Sequence, residues 1–404
     1  MSRIPPLPPA SRPPPGSPPD LRLDAVTDPA AIEAVWRDLE RDGVVLPFQS
    51  FDWTVAWIAA GAMRPGSRLL VIRGRRGETT DFLLPLAIEP LGPLTVARRL
   101  AGSHASYVLG VWRDLADAPA PERIREALLT LGRAEGIDAF VLDAVPVTWD
   151  GTAVPLAAAL PRRPSLDDGH AARLAPSFEA LLAGRNAAHK RKKVKAKEKL
   201  LTAAGGYRIA AAATPPEVEA TLSAFFAQKA AALAARGIAD PFADPPVRDA
   251  FRRLALASLG SHEPLLELTR LEAGGAIRAV IGASIRKGRL YALFASFADD
   301  DLIRASPGET LFFRHIEAAC HRGLAVYDFG VGTERYKTSW CDERIELVDL
   351  RLATGPAGRL YLAVTDLLGR AKAAIRRDDR LWPLVRRLRA RLAGRPGEGR
   401  REDE

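Results

Sequence analysis

Tyr327 to Lys337 reads YDFGVGTERYK and brings Asp328, Glu334, Tyr336 and Lys337 into eleven residues. Asp328 ends an apolar strand, where a buried carboxylate needs partners. It reads either as an orienting or general-base carboxylate or as a cap on neighbouring backbone N–H groups. Gly330 and Gly332 free the backbone to leave the sheet at that point. Glu334 can take a proton from an amine, directly or through water, and Lys337 can bind an anionic group. The plainer alternative is a charged surface loop with one packed tyrosine.

A second candidate is Ser306-Pro307-Gly308, just before a helix that starts near Glu309. Unpaired N–H groups and the helix dipole at such an end suit a phosphate. The same residues also make an ordinary turn, with Ser306 as cap and Pro307 at the first helical position. In the first half of the chain, Gln49, Trp53 and Trp57 could line an acceptor groove, because indoles stack on sugars and apolar chains. Trp53 and Trp57 are four apart on one helix face, so core packing is the plainer account of them. His104 and Tyr107, in GSHASY, occupy a loop from which they could reach a cleft between halves. The remaining histidines are scattered, with no HExxH-like spacing, so no metal catalysis is expected. No Gly-x-Ser-x-Gly elbow is present either.

The elements that must position these groups need two domains, since 404 residues exceed one ordinary domain. Two cysteines, Cys320 and Cys341, make neither a disulfide framework nor a metal quartet, which fits a reducing cytoplasm. No apolar run reaches the roughly 18–20 residues of a membrane span. The first nineteen residues hold nine prolines and read as an extended, disordered tail rather than a signal peptide. The net charge of +9 is uneven. Arg185–Lys199 carries +7 and Arg370–Arg401 carries +9, leaving the remainder at −7. Such local basicity suits phosphates on a nucleotide cofactor, lipid or nucleic acid, or it is a solvated helix face.

Hydrophobic periodicity and turn signals give both halves one element order, β-α-α-β-β-β-α-β. In the first half a helix starts at Asp28-Pro29, a second spans Phe51 to Ala60, and a later helix, Pro121 to Glu135, leads into the strand Ala139 to Leu142. In the second half Thr214 caps a helix over Pro215–Arg236. Three strands then form a meander, a helix spans Glu309–Arg322, and strands follow at Leu324–Phe329 and Ile345–Leu352. Trp149–Pro176 is the crossover. The expected division is a Pro-rich tail at 1–20, one domain at 21–160, a second at 161–359, and Arg-rich amphipathic helices and tail at 360–404.

This order resembles that of the GNAT acyltransferase fold, an α/β (α+β) architecture, expected here as two tandem copies packed together. Five stretches occur in sequence: FQSFDWTVAWI (48–58), RNAAHKRKKVKAKEKLLTAAG (185–205), FFAQKAAALAARG (225–237), PFADPPVRDAFRRLA (241–255) and YDFGVGTERYKTSW (327–340). Together they resemble the CelD-like acetyltransferases of cellulose and exopolysaccharide biosynthesis, double-GNAT proteins related to Fem-type aminoacyltransferases. The resemblance implies transfer of an acetyl or other acyl group from acyl-CoA to an amine or hydroxyl, such as one on a sugar or envelope precursor. It implies that Tyr336 protonates the departing thiolate. It also implies a pyrophosphate loop of Arg/Gln-x-x-Gly-x-Gly/Ala type. The corresponding stretch is Arg304-Ala-Ser-Pro-Gly308-Glu, so Arg304, Ser306, Gly308 and Thr310 are the candidate donor contacts. No metal is implied. Two alternatives stay open: a Fem-like transferase that takes its donor from aminoacyl-tRNA through the basic 185–199 stretch, and a non-catalytic GNAT-like scaffold at the membrane surface. The expected location is the cytoplasm, or the periphery of the inner membrane through the Arg-rich C-terminus.

Overall fold

The structure is a computed structural model and describes residues 20–332, 337 and 339–377. Most of the Pro-rich tail, the end of the Arg-rich segment, and the candidates Glu334 and Tyr336 lie outside the described residues. The first half runs β1 (Leu21–Val26), α1 (Glu33–Asp42), α2 (Phe51–Ala59), β2 (Arg68–Arg76), β3 (Thr79–Leu91), β4 (Leu94–Arg99), β5 (Val111–Trp112), α3 (Pro121–Ala134) and β6 (Ala139–Pro146). The crossover holds β7 (Thr148–Trp149), β8 (Thr152–Ala153), α4 (Pro155–Ala159), β9 (Arg162–Pro164), β10 (Gly169–Arg173), α5 (Phe178–Ala183) and α6 (Ala187–Ala203). The second half runs β11 (Tyr207–Ala211), α7 (Pro215–Ala235), α8 (Pro245–Ala257), β12 (Glu267–Ala273), β13 (Ala276–Arg286), β14 (Arg289–Phe297), α9 (Pro307–His321) and β15 (Val326–Val331). It ends with β16 (Glu343–Ile345), β17 (Leu347–Ala353) and α10 (Pro356–Arg377).

Local chemistry sets these starts. Ser50 caps α2 by accepting from the Trp53 N–H at 3.4 Å. Thr214 and Glu217 form a reciprocal capping box on α7. Asp28 caps a short 3₁₀ turn, Pro29–Ile32, that feeds α1.

Each half has its own sheet. One has the order β1-β2-β3-β4-β6-β17-β9, with β5 on β3; the other has β11-β12-β13-β14-β15-β10-β16. Within each, one neighbouring pair is parallel, β4 with β6 and β14 with β15. The strand beside each of these pairs is borrowed. β17, from the end of the second half, pairs with β6 over Leu347–Ala353. β10, from the crossover, pairs with β15. The single strand expected at Ile345–Leu352 is therefore two. β16 joins the second sheet through β10, and after Glu346 the chain passes to the first sheet. One apolar core spans both halves: Trp53 and Trp57 of α2 meet Phe251 of α8 with ring centroids 6.4 and 5.5 Å apart.

The exchange makes a prediction. Leu350 on β17 is fully buried, and Leu350→Ala should cost about 2–5 kcal/mol. Hydrogen exchange should speed up in β6, its partner strand, more than in β15. The reverse pattern would show that β17 stabilises its own half instead.

Candidate functional site

β14 and β15 share three parallel pairs, the last being Tyr291 with Asp328. Beyond it the strands part. Gly330 and Gly332 take φ values of +70° and +121°, a region that glycine enters without strain. A Cβ at Gly330 would lie 3.3 Å from Ser106 Oγ, so the glycine also lets the first half come close.

Asp328 is fully buried at the fork. Its Oδ1 accepts from the Tyr107 hydroxyl and the Gly330 N–H, both at 2.8 Å. Its Oδ2 faces Arg289 Nη1 at 3.3 Å. Arg289 in turn donates to Asp150 at 2.8 Å and lies over the Trp149 ring at 4.6 Å. Burial pushes the Asp328 pKa up, against the Arg289 charge and the two hydrogen bonds. The Tyr107 hydroxyl is held well above its ordinary pKa by burial and by Asp328, so it acts as donor. Asp328 thus caps a backbone N–H and joins the halves through Tyr107.

The fork opens into a cleft of about 1280 Å³ between the halves. Its wall is apolar, with Phe294, Phe297, Phe312 and Phe329 among the lining side chains. Lys190 and Lys193 of α6 line it beside the start of α9. Lys190 Nζ donates to Ser339 at 3.1 Å and sits 4.1 Å from the Trp340 ring centroid. At the start of α9, Pro307 has no N–H, and the Glu309 and Thr310 N–H groups turn back to Ser306 O at 3.1 and 3.2 Å. Among the described residues the Gly308 N–H has no acceptor, so it can meet an anion. Glu309 is bridged to Lys193 at 2.9 Å and to Lys197. Burial raises its pKa, but hydrogen bonds from the two lysines outweigh this and hold it below the usual carboxylate value. The acid that would repel a phosphate is therefore already neutralised.

Of the expected donor contacts, Ser306 and Gly308 line the cleft, whereas Arg304 and Thr310 do not. Arg304 is exposed, and Thr310 is buried with a hydroxyl that has no partner among the described residues. Ser306 adopts φ +45° and does not cap α9 with its side chain. Lys337 lines the cleft, is buried, and donates from Nζ to Val331 O at 2.8 Å. Asp328 lies below the cleft wall rather than on it.

Gln49, Trp53 and Trp57 are corrected to core positions. The apolar face of α2 packs on α8, and Trp53 and Trp57 stack 5.9 Å apart within that contact. Gln49 spends its amide on Tyr107 O at 3.0 Å and Leu109 N at 3.4 Å. His104 does line the cleft, among the rings of Trp57, Phe242 and Phe251. Burial lowers its pKa to about 4, so it is neutral at pH 7. Sequence reasoning missed Arg99, Ser106, Lys229 and Arg236, which also line the cleft. Lys229 and Arg236 lie within the FFAQKAAALAARG stretch, but nothing in the sequence singles out Arg99.

Residues 188–338 match the model of the acetyltransferase (GNAT) domain. The FemX crystal structure superposes with a TM-score of 0.54 at 11% identity, covering 81% of this chain and 97% of that one. A conserved protein of unknown function from Bacteroides thetaiotaomicron gives 0.53 at 14%, with 80% and 97% covered. The C-terminal domain of an Agrobacterium fabrum protein described as a lysylphosphatidylglycerol synthetase gives 0.51 at 14%, with 84% and 96% covered. At such identities the likeness concerns fold. No curated protein sequence matches the chain. The fold is thus mixed α/β and GNAT-type, with one GNAT-like sheet in each half.

Tyr107→Phe removes one donor from a buried carboxylate and should cost about 1–3 kcal/mol in urea unfolding; an unchanged midpoint would mean that water replaces the hydroxyl. His315 is also buried, 2.8 Å from the Tyr327 hydroxyl, and burial holds its pKa at about 4. Since both His104 and His315 bind protons more weakly folded than unfolded, stability falls as pH drops from about 6.5 toward 4. His315→Gln should flatten that slope in unfolding curves at several pH values.

Proposed function

We propose that the chain is an acyltransferase that moves an acetyl or other acyl group from acyl-CoA to an amine or hydroxyl. The observation that carries this reading is the parting of β14 and β15 beyond Tyr291 and Asp328. It leaves the backbone edge of Ala292–Phe297 facing an apolar cleft with a lysine rim. An acyl-CoA supplies an activated thioester and a long arm that ends in phosphates. The edge and the apolar wall suit the arm, and Lys190, Lys193 and the Gly308 N–H suit the phosphates.

The protein's share of such chemistry is placement and charge. As the acceptor's N or O bonds to the acyl carbon, it loses its proton, the C–S bond breaks, and the thiolate leaves with the electron pair and takes up a proton. Glu334 and Tyr336 are assigned the removal and the return of that proton. Lys337, held against Val331 O, keeps the end of β15 in place and presents its charge to the cleft. Asp328 is a positioning residue, because it reaches the cleft only through the backbone it holds. The resemblance to CelD-like proteins supports a sugar or envelope precursor as acceptor, including exopolysaccharide units.

Calorimetric titration with acetyl-CoA and longer acyl-CoAs tests the reading. Binding is expected, and Lys190→Glu with Lys193→Glu should weaken it about tenfold or more by placing acid beside the phosphates. The absence of binding by every acyl-CoA would overturn it.

A further inference from the structure

The first half has a fork of its own, and it opens into the same cleft. β4 and β6 keep three parallel pairs, ending at Arg98 with Val141. The next residue on β4 is Arg99, which corresponds in this geometry to Ala292 beyond the last β14–β15 pair. Arg99 and Ala144 line the cleft from one fork; Ala292 and Gly330 line it from the other.

Arg99 is half-buried, and its guanidinium donates to Ala105 O at 3.0 Å. Among the described residues no carboxylate lies within 4.0 Å of it. The acids whose charges reach it are Asp143 and Asp349, and both are already engaged. Asp143 is bridged to Arg351 at 2.8 Å. Asp349 faces Arg163 at 3.5 Å, accepts from Ser165 Oγ at 2.6 Å, and accepts from the Ala144 N–H at 3.2 Å. A guanidinium cannot shed its proton to relieve burial, and a cation partly withdrawn from water gains from a counter-charge. The cleft itself offers none: among its described lining residues Glu309 is the one acid, and Lys193 and Lys197 hold it. Lys229 and Arg236 add further positive charge to the same lining.

We propose that the first fork is the acceptor site and that Arg99 binds an anionic group, phosphate or carboxylate, carried by the acceptor. Its planar fork of donors matches either oxyanion with two parallel hydrogen bonds. The two forks then hold the two substrates face to face, the neutral reacting end of the acceptor toward Gly330 and its charged end on Arg99. Only the naming of the ligand as an acyl acceptor rests on the acyltransferase reading; the anion site stands on Arg99 itself.

Three small amines test this with the full chain saturated with CoA: phosphoethanolamine, β-alanine and ethanolamine, followed by ligand-observed NMR. One of the two anionic amines should bind about tenfold or more tightly than ethanolamine, and which one does so tells phosphate from carboxylate. Arg99→Met should erase that preference while acetyl-CoA affinity stays within about twofold. Arg99→Gln, which keeps a donor for Ala105 O, is the second variant should the methionine disturb folding, and it should lose the preference likewise. Equal binding of all three amines by the natural chain, or an unchanged preference in the folded variants, overturns the proposal. If acetyl-CoA does not bind, the acyltransferase reading falls, and the same amine comparison on the chain without CoA decides the role of Arg99.

Discussion

A single fully buried carboxylate sets much of this molecule's geometry. Asp328 stands at the last parallel pair between β14 and β15, where a charge can be buried only if several donors converge on it. One donor is the N–H of Gly330, which bends the strand end away from its neighbour. Another is the Tyr107 hydroxyl, which comes from the other half. The third is Arg289, itself anchored by Asp150 and Trp149 of the crossover. Satisfying one carboxylate therefore opens the fork, fixes the distance between the halves and holds the crossover against both. The cleft is the space left over when those demands are met together.

Strand exchange makes that arrangement hard to undo piecemeal. β17 completes the sheet of the half it does not follow, and β10 completes the other. Each sheet thus contains chain that belongs, by sequence order, to another part of the molecule. Rigid separation of the halves would cost strand pairing as well as the aromatic contact between α2 and α8. A cleft between such halves is preorganised, which suits a reaction in which the protein contributes placement more than covalent chemistry.

The charge distribution follows the same division. Arg185–Lys199 gives α6 its excess of positive charge, yet its side chains do different things. Lys197 and Lys193 neutralise Glu309 at the start of α9, and Lys190 lies across Trp340. A run of basic residues that could equally be a solvated face becomes a rim because α6 packs beside α9.

Sequence alone determined the main helices and strands of each half, but not the short strands and α4 of the crossover. The caps at Thr214 and Asp28, the meander turns and the glycines at 330 and 332 act over a few residues, so their meaning survives without tertiary context. The repeated element order, and with it the GNAT-type fold, was legible for the same reason. Tertiary structure alone decided which side chains meet. Trp53 and Trp57 could have faced a groove or a core, and the position of α8 made them core. Asp328 could have been a base or a cap, and the approach of Tyr107, 221 residues away, made it a buried joint. The strand near residue 345 broke in two because two sheets each needed an edge partner. Arg99 looks like any strand-end arginine until its neighbouring acids are seen to be engaged elsewhere. Burial and counter-charge are properties of contacts between distant residues, and local sequence does not encode those contacts.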